Sequence, residues 1–325
     1  MPMWRYILKR LLYVIPVVLF CTFIVFFIMN LKPGDPGRLA LGLEASQEAV
    51  DAYNHEIGLD RPLLVRYADY MFNLLKGDFG KSYIGGKAIW PQIKQFFPNT
   101  LKLSVSALIF SFIVGVPIGV LSAVKQYSLA DRAASVTAMI LACIPPFWLC
   151  LLLMMLFSVK LGWLPAYGLS DWKSYILPVI AISSNAIGSN IRLTRSTMLE
   201  EIRKDYVRTA RSKGAKERTV IYSHALMNSL IPVVTSLGTK FTRQIGGSVF
   251  VETVFAIGGI GSLVIKGVNN NDTPTVVGSI VIISICSVLI NLLVDIVYAF
   301  LDPRIKGRYI ASGKKRKKTA EVKEA

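Results

Sequence analysis

Two cationic side chains interrupt an apolar stretch of this sequence in a way that points to chemistry. Lys240 and Arg243 lie within residues 233–255, which are apolar overall. A charge inside a membrane costs about 2.5–3.5 kcal/mol on insertion scales, so it normally faces protein or a water-filled cavity. We predict that the two cations line a path for a polar solute. The alternative is that they pair with acids such as Asp295 at a subunit contact.

Uncharged polar side chains follow the same pattern. At helical spacing they fall on shared faces of two apolar segments, and we predict that they belong to the same path. They are Thr235, Thr239 and Thr242 beside the two cations, and Ser284 and Asn291 in a later apolar segment.

The sequence offers little for catalysis. The Gly-Lys-Ser at 80–82 resembles the end of a nucleotide-binding phosphate loop, but Leu75 stands where that loop requires its first glycine. His55 and His224 are the only histidines, and the four cysteines lie in apolar runs without metal-ligand spacing. We therefore expect no catalytic residues, no metal site and no bound cofactor.

Long apolar segments must carry these residues. The chain is 53% hydrophobic and only 18% charged, whereas soluble domains have roughly 25% charged residues. Crossing a bilayer takes about 20 apolar residues per helix. Residues 233–255 are one candidate, and the charge-free candidates are 11–31, 103–124, 133–159, 174–191 and 273–294. We predict an all-α integral membrane protein with about six transmembrane helices.

The basic residues predict how the chain is threaded. Most of the 37 Lys and Arg residues lie in loops, and one side of the membrane carries roughly twice as many of them as the other. The positive-inside rule assigns the side with more basic residues to the cytoplasm. Both termini and residues 192–231 then lie inside. Residues 32–98 lie outside, where we expect a small helical insertion, either a folded cap or interfacial helices. The net charge of +17 thus reflects topology and lipid headgroups rather than nucleic-acid binding.

Residues 200–232 are the most informative part of the sequence. Residues 200–213 favour a helix that ends at Gly214, which can adopt the left-handed conformation that other residues resist. A second helix begins at Lys216, and both helices carry an apolar stripe. We predict a cytoplasmic knob of two amphipathic helices that docks on a soluble partner.

This segment resembles the "EAA" loop of bacterial ABC importer permeases. The matching stretches are residues 206–214, Tyr-Val-Arg-Thr-Ala-Arg-Ser-Lys-Gly, and 224–232, His-Ala-Leu-Met-Asn-Ser-Leu-Ile-Pro. Where the family has an E-A-A-like triplet, this sequence has Arg-Thr-Ala at 208–210, a variant similar to the dipeptide, oligopeptide and nickel subfamily. Further stretches that resemble that subfamily are 57–62, 77–82, 251–255, 259–261 and 301–304.

The resemblance implies a role and a set of partners. It implies a permease subunit of a peptide importer in the bacterial inner membrane, surrounded by lipid. The partners would be a second homologous permease, two cytoplasmic ATPase subunits that bind the ATP and magnesium, and an extracytoplasmic substrate-binding protein. The residues that would couple this subunit to the ATPase are Arg208, Thr209, Ala210, Gly214, Ala215 and Pro232.

Four regions follow from these expectations. Residues 1–31 hold the N-terminus and the first transmembrane helix, 32–98 the insertion, 99–303 the permease core with five helices, and 304–325 a basic tail. The same class of importer could carry nickel or another small solute. A secondary transporter is a more distant alternative, since such proteins often contain inverted repeats and no convincing repeat is evident in this sequence.

Overall fold

The computed structural model of the protein describes residues 3–42 and 44–301. Within these ranges the chain forms fourteen α-helices with short π- and 3₁₀-helical turns. Strand-like pairing in the same ranges is limited to an isolated bridge between Lys81 and Ala88. The prediction of an all-α protein is confirmed.

The helices follow one another with short connections. In the first half of the chain they are α1 (Met3–Leu31), α2 (Pro36–Leu41), α3 (Gln47–Glu56), α4 (Leu63–Leu75), α5 (Ile89–Val124), α6 (Leu129–Cys143) and α7 (Pro146–Leu153). In the second half they are α8 (Ile176–Ile202), α9 (Asp205–Ser212), α10 (Glu217–Thr219), α11 (Leu226–Thr235), α12 (Leu237–Val254), α13 (Ile260–Asn269) and α14 (Thr273–Leu301). A π-helical stretch extends α7 over Met154–Lys160, and another joins α10 to α11 over Val220–Ala225.

Helical units long and apolar enough to cross a membrane make up most of the described chain. Single helices of this kind are α1, α5, α8 with the turn before it, and α14. Two bent pairs also qualify, namely α6 with α7 and its π-helical extension, and α10–α11 with α12. If each bent pair counts as one span, the described residues contain six, in agreement with the sequence prediction.

Prolines accompany both bends. The first pair changes direction by 104° between Cys143 and Pro146. Because each proline removes a backbone donor and crowds the preceding turn, the pair Pro145-Pro146 predicts a break in the helix. The structure confirms that break. The second pair bends by 43° at Ser236, one turn after Pro232 within α11. This smaller bend separates the coupling segment from α12.

Small residues let α5 and α8 pack closely. A β-carbon added at Gly115 would lie only 2.6 Å from the Cβ of Asn190. One added at Gly119 would lie 2.7 Å from the Cβ of Thr194. Such distances leave no room for a side chain, since protein interiors are close-packed. The small residues at Ser111, Gly115 and Gly119 predict this close approach of two membrane helices, and the structure confirms it.

The segment between α1 and α5 forms a small helical insertion. The sequence predicts a helix start at Ser46 and a helix end at Gly77. In the structure Ser46 caps α3 by accepting a hydrogen bond from a backbone N–H, and Gly77 follows the end of α4. Helix α5 begins at Ile89, so one helix of 36 residues runs from the insertion into the membrane span.

A carboxylate fastens the insertion to the last span. Asp272, just before α14, accepts hydrogen bonds from Ser82 Oγ at 2.5 Å, from the Tyr83 N–H at 3.1 Å and from Thr275 Oγ1 at 2.6 Å. Its side chain is nearly fully buried. Because each donor comes from a turn or a helix start, this one residue fixes their relative position.

A second buried carboxylate fixes the hairpin between α12 and α13. Glu252 accepts hydrogen bonds from Thr100 Oγ1 on α5 at 2.6 Å and from the Ser262 N–H at 2.9 Å. The second donor belongs to the first turn of α13, where a negative charge is favourable. Glu252 thereby holds α13 against α5 and α12.

Candidate translocation site and coupling segment

Helix α12 has an exposed face that carries an arginine. Exposed residues recur there at steps of four and three: Thr239, Arg243, Gly246, Phe250 and Thr253. The other side of the helix packs against α5, α8 and α14. An exposed guanidinium on a membrane helix is unfavourable against lipid. This face is therefore suited to water or to another protein chain.

Lys240 is half-buried beside this face and has a polar partner on a neighbouring helix. Its ammonium donates a hydrogen bond to Oδ1 of Asn190 on α8. The Asn190 amide nitrogen donates in turn to the backbone oxygen of Ser111 on α5, at 3.0 Å. These contacts connect α5, α8 and α12 through one line of polar atoms.

A cavity of about 230 Å³ lies beside the two cations. Its lining combines the polar or charged residues Asn185, Ser189, Lys240, Arg243 and Gln244 with Gly247 and the apolar residues Pro146, Ile182 and Ala186. Gln244 is almost fully buried, and both polar atoms of its amide lack a hydrogen-bond partner within residues 3–42 and 44–301. An unpaired buried amide costs about 1–3 kcal/mol, so this cavity is better suited to a polar ligand than to an empty state.

The charge of the cavity is not balanced within the part of the chain that the structure describes. Neither Lys240 nor Arg243 forms an ion pair there; the ion pairs of that part involve other residues. The side chain of Asp295, the acid named above as an alternative partner, lies outside the described residues. The described structure thus places two positive charges at one small cavity.

The remaining residues predicted for the path are more widely spread. Thr239 shares the exposed face of α12 with Arg243. Thr242 instead accepts a hydrogen bond from Nδ2 of Asn291 at 2.9 Å, in the contact between α12 and α14. Thr235 bonds to the backbone of its own helix, and Ser284 is half-buried on α14. Their part in a path stays a prediction.

The coupling segment folds against the ends of the spans. Val207 of α9 is fully buried in an apolar cluster with Val220 and Ala225 of the following π-helical stretch. The cluster also contains residues of α5 and α8, so the segment is anchored on two long helices. Of the predicted coupling residues, Arg208, Thr209 and Gly214 are exposed, Ala210 and Ala215 are half-buried against the cluster, and Pro232 is exposed within α11.

The turn of this segment depends on a glycine. Gly214 has a φ of +81°, and a β-carbon added there would meet no atom within 4 Å. The requirement for glycine is therefore conformational rather than steric. Arg211 and Glu217 on either side of the turn form a forked ion pair with distances of 2.7 and 3.1 Å. The Glu217 carboxylate raises the pKa of the Arg211 guanidinium.

The expectation of one continuous helix over 200–213 is wrong. Helix α8 ends at Ile202 and α9 starts at Asp205, with Lys204 in an extended conformation between them. The Lys204 ammonium and the Tyr206 hydroxyl both donate to the Glu201 carboxylate, at 2.6 and 2.7 Å. Burial and this bond raise the pKa of Tyr206. These side-chain contacts stabilise a break that helix propensity does not reveal.

Sequence reasoning missed two amides that line the cavity, Asn185 and Gln244, and the Asn190 amide that accepts from Lys240. Asn185, Asn190 and Gln244 lie in apolar segments, where an unpaired amide is costly. Treating intramembrane amides like intramembrane charges would have identified them. Sequence reasoning also missed the forked ion pair of Asp131 and Arg195, with distances of 2.7 and 2.9 Å, which joins the start of α6 to α8.

A second and larger cavity, of about 650 Å³, lies between the insertion and the start of α14. Basic and aromatic residues share its lining, among them Arg61, Arg66, Lys81, Tyr70 and Tyr83. Burial raises the pKa of both tyrosines. This surface lies on the opposite side of the spans from the coupling segment, because α5 runs from one to the other.

The sequence matches two family descriptions that together cover most of the chain. Residues 115–307 match "Binding-protein-dependent transport system inner membrane component". Residues 3–104 match the N-terminal part of a membrane component of such transport systems.

Individual relatives and solved structures agree with this match. The glutathione transport system permease protein GsiC of Salmonella choleraesuis (strain SC-B67) is 38% identical over 304 residues, covering 94% of this chain and 99% of that protein. The dipeptide transport system permease protein DppB of Alkalihalophilus pseudofirmus is 37% identical over 332 residues, covering 94% and 100%. A chain of the inward-facing MetNI methionine ABC transporter, 20% identical, has a similar fold with a TM-score of 0.57 over 65% of this chain and 96% of that one. This chain therefore belongs to the family of inner membrane components of binding-protein-dependent transport systems, as a multi-pass permease subunit.

Proposed function

We propose that this permease subunit belongs to an ATP-binding-cassette importer and forms half of its translocation path for peptides. The observation that carries the proposal is the cavity that Lys240, Arg243 and Gln244 line at the exposed face of α12. Relatives named for glutathione and dipeptide transport support a peptide as the solute. A peptide needs a polar, water-filled route, and a cationic cavity within a membrane bundle is suited to line one.

A second, homologous permease would complete the path. The exposed face of α12 carries Thr239, Arg243 and Gly246. Two such faces brought together would shield their polar groups from lipid and enclose water between them. The rest of the outer surface of the subunit, such as the exposed apolar side chains of α1, is suited to lipid.

Two ATPase subunits would drive the cycle from the cytoplasm. Arg208, Thr209 and Gly214 lie exposed on the coupling segment, where a groove of an ATPase could receive them. The ATPases bind ATP and magnesium, so this chain needs no nucleotide site of its own. From Gly214 the chain continues through α10 and α11 directly into α12. Movement of the docked segment would thus reach the helix that lines the cavity.

The orientation follows from the basic residues. Both termini and the coupling segment would lie in the cytoplasm, and the insertion would lie outside. There the insertion and its cavity of about 650 Å³ offer a surface to a substrate-binding protein. The binding protein would then deliver the peptide at one end of the helices, and ATP hydrolysis by the ATPases would act at the other end.

The alternative of nickel as the solute is less compatible with the charges. Unit charges of like sign 4 Å apart repel by about 4 kcal/mol at an effective dielectric constant near 20. A divalent cation would meet two positive side chains in the cavity, Lys240 and Arg243, without a carboxylate among its lining residues. The cavity is therefore better suited to the polar and anionic groups of a peptide.

Reconstitution tests the proposal. The permease pair, the two ATPases and the binding protein are inserted into proteoliposomes, and uptake of a labelled tripeptide and of labelled Ni²⁺ is measured. We expect tripeptide accumulation that requires ATP and binding protein, and no nickel accumulation. Vesicles supplied with ADP are the control. Nickel accumulation without peptide accumulation would reject the peptide proposal, and ATP-independent uptake would reject the importer class.

A further inference from the structure

We infer that the cavity beside α12 binds the C-terminal carboxylate of the transported peptide, through Lys240, Arg243 and the amide of Gln244. The inference rests on the proposed function and names the chemical group that the path recognises. The path then favours solutes with a free carboxylate at one end over solutes in which that group is blocked.

The first argument is the unbalanced charge. Both cations line the cavity, and neither has an ion-pair partner within residues 3–42 and 44–301. Arg243 also lacks any hydrogen-bond partner in the same ranges, although its side chain lies on a membrane helix. Charges in such positions are usually paired, or they mark the pathway of an ion or substrate. An anionic ligand supplies the missing partner.

The second argument is the supply of free donors. The Lys240 ammonium has three N–H donors, of which Asn190 accepts one. The Arg243 guanidinium presents five donors in a planar fork that matches a carboxylate. The buried Gln244 amide, unpaired within the described chain, adds its own N–H donors to the same cavity. A carboxylate can accept from all three groups at once, because its two oxygens have about four acceptor positions.

The third argument is size. The cavity of about 230 Å³ is smaller than the roughly 300–1,000 Å³ of pockets that enclose a whole drug-sized ligand. It suits one end of a peptide rather than an entire one. The rest of the solute would extend along the exposed face of α12, past Gly246 and Phe250.

Neighbouring glycines give a matched pair of probes. Gly247 lines the cavity, whereas Gly246 lies on the exposed face, and a β-carbon at either position meets no atom within 4 Å. Cysteine is introduced at each position in a variant whose four native cysteines are replaced by alanine. The complete permease–ATPase complex is purified without binding protein. Labelling rates are measured with an anionic and a cationic thiol reagent of similar size.

Two results are expected from Gly247→Cys. The anionic reagent should react about tenfold faster than the cationic one, because positive side chains concentrate anions locally. Tri-alanine should slow the labelling severalfold, and tri-alanine amide, which lacks only the terminal carboxylate, should not. Arg243→Gln should abolish both effects, while Lys266→Gln, which removes a cation from a different cavity, should leave them intact. Tri-alanine should slow the labelling of Gly246→Cys less than that of Gly247→Cys.

Other outcomes separate the inference from the proposed function. Equal protection by tri-alanine and its amide, or no preference for the anionic reagent, would overturn carboxylate binding; the second result would mean that a partner subunit neutralises the cations. Uptake of tri-alanine by proteoliposomes of the complete importer is measured in parallel. Uptake together with equal protection rejects only the inference, whereas absence of any peptide uptake rejects the proposed function itself.

Discussion

Lys240 and Arg243 lie on the same helix, yet their charges have different surroundings. The Lys240 ammonium is held by the Asn190 amide, which also contacts Ser111. The Arg243 side chain is exposed and has no described partner. The lysine therefore belongs to the packing of the subunit as well as to the cavity. The surroundings of the Arg243 guanidinium therefore depend on whether water or another chain covers the exposed face of α12.

A double-variant cycle tests the contact between Lys240 and Asn190. Asn190→Leu should lower the stability of the purified subunit by about 1–3 kcal/mol, because it leaves a half-buried ammonium without its acceptor. Lys240→Met removes that ammonium, so the double variant should lose less than the sum of the single losses. Thermal unfolding in detergent measures each variant. Strictly additive losses would show that the two side chains do not interact.

Substitution at Gly115 tests the close packing of α5 on α8. Gly115→Ala places a methyl group 2.6 Å from the Cβ of Asn190. Overpacking of this kind costs about 1–3 kcal/mol, so the unfolding temperature should fall. Gly246→Ala is the control, since its β-carbon meets open space and alanine is the better helix former. If both variants unfold at the same temperature, the close contact of α5 and α8 is absent.

The sequence alone predicted the close packing at Gly115 but not the hydrogen bonds of Asn190, and the reason is physical. The spacing of small residues along one helix is a local pattern that directly predicts a flat surface. The role of Asn190 depends on α5 and α12 approaching α8 from two sides. A contact of this kind exists only once the helices have packed, so a single sequence does not reveal it.

The coupling segment combines two short helices, one left-handed glycine and one apolar anchor. Its exposed residues can meet a partner because Val207 and its neighbours hold the segment in place. The break between Ile202 and Asp205, with Lys204 extended, separates α9 from α8. Composition favours helix throughout this stretch, which is why the sequence predicted the turn at Gly214 but not the earlier break.

Gly214→Val tests the coupling role of this segment. A side chain with a β-carbon costs roughly 1–2 kcal/mol in the left-handed conformation, and no neighbouring atom adds a clash. The variant should insert at a normal level, yet peptide uptake should fall while ATP hydrolysis is no longer stimulated by substrate. Uptake and ATPase turnover are measured side by side in proteoliposomes.

Gly77→Val is the matched control for this variant. Gly77 also follows the end of a helix, with a φ of +85° and open space around its β-carbon position. The substitution thus introduces the same strain in the insertion, far from the coupling segment. We expect uptake and ATPase turnover to remain linked in this variant. If uptake and ATPase turnover change equally in the two variants, the effect of Gly214→Val is a general loss of stability rather than a loss of coupling.

Across the whole molecule, long apolar runs predicted six spans, and the structure agrees if each bent pair crosses once. The paired prolines predicted the sharp bend between α6 and α7 because proline acts on its own backbone. The start of α5 at Ile89 was not predicted. Residues 89–98 are too polar to be recognised as part of a span, and they become helical as the first turns of a longer helix.

Labelling from the two sides of the membrane tests the threading. Asp51 in the insertion and Lys216 in the coupling segment are both exposed. In a cysteine-free variant, Asp51→Cys should react with an impermeant thiol reagent added outside intact cells, and Lys216→Cys only after permeabilisation. The distribution of basic residues is the physical reason. Reaction of both positions from outside would contradict the proposed orientation.

The exposed face of α12 also affects how the importer is made. A newly inserted copy of this subunit presents Arg243 on a membrane helix before anything covers it, at a cost of about 2.5–3.5 kcal/mol against lipid. An uncovered copy is thus less stable in lipid than one whose α12 face is covered. If the proposed second permease covers that face, survival of the copy in the cell would depend on how quickly the second chain is supplied. Under the proposed pairing, balanced production of the two permeases would be a requirement that this one helix imposes on the cell.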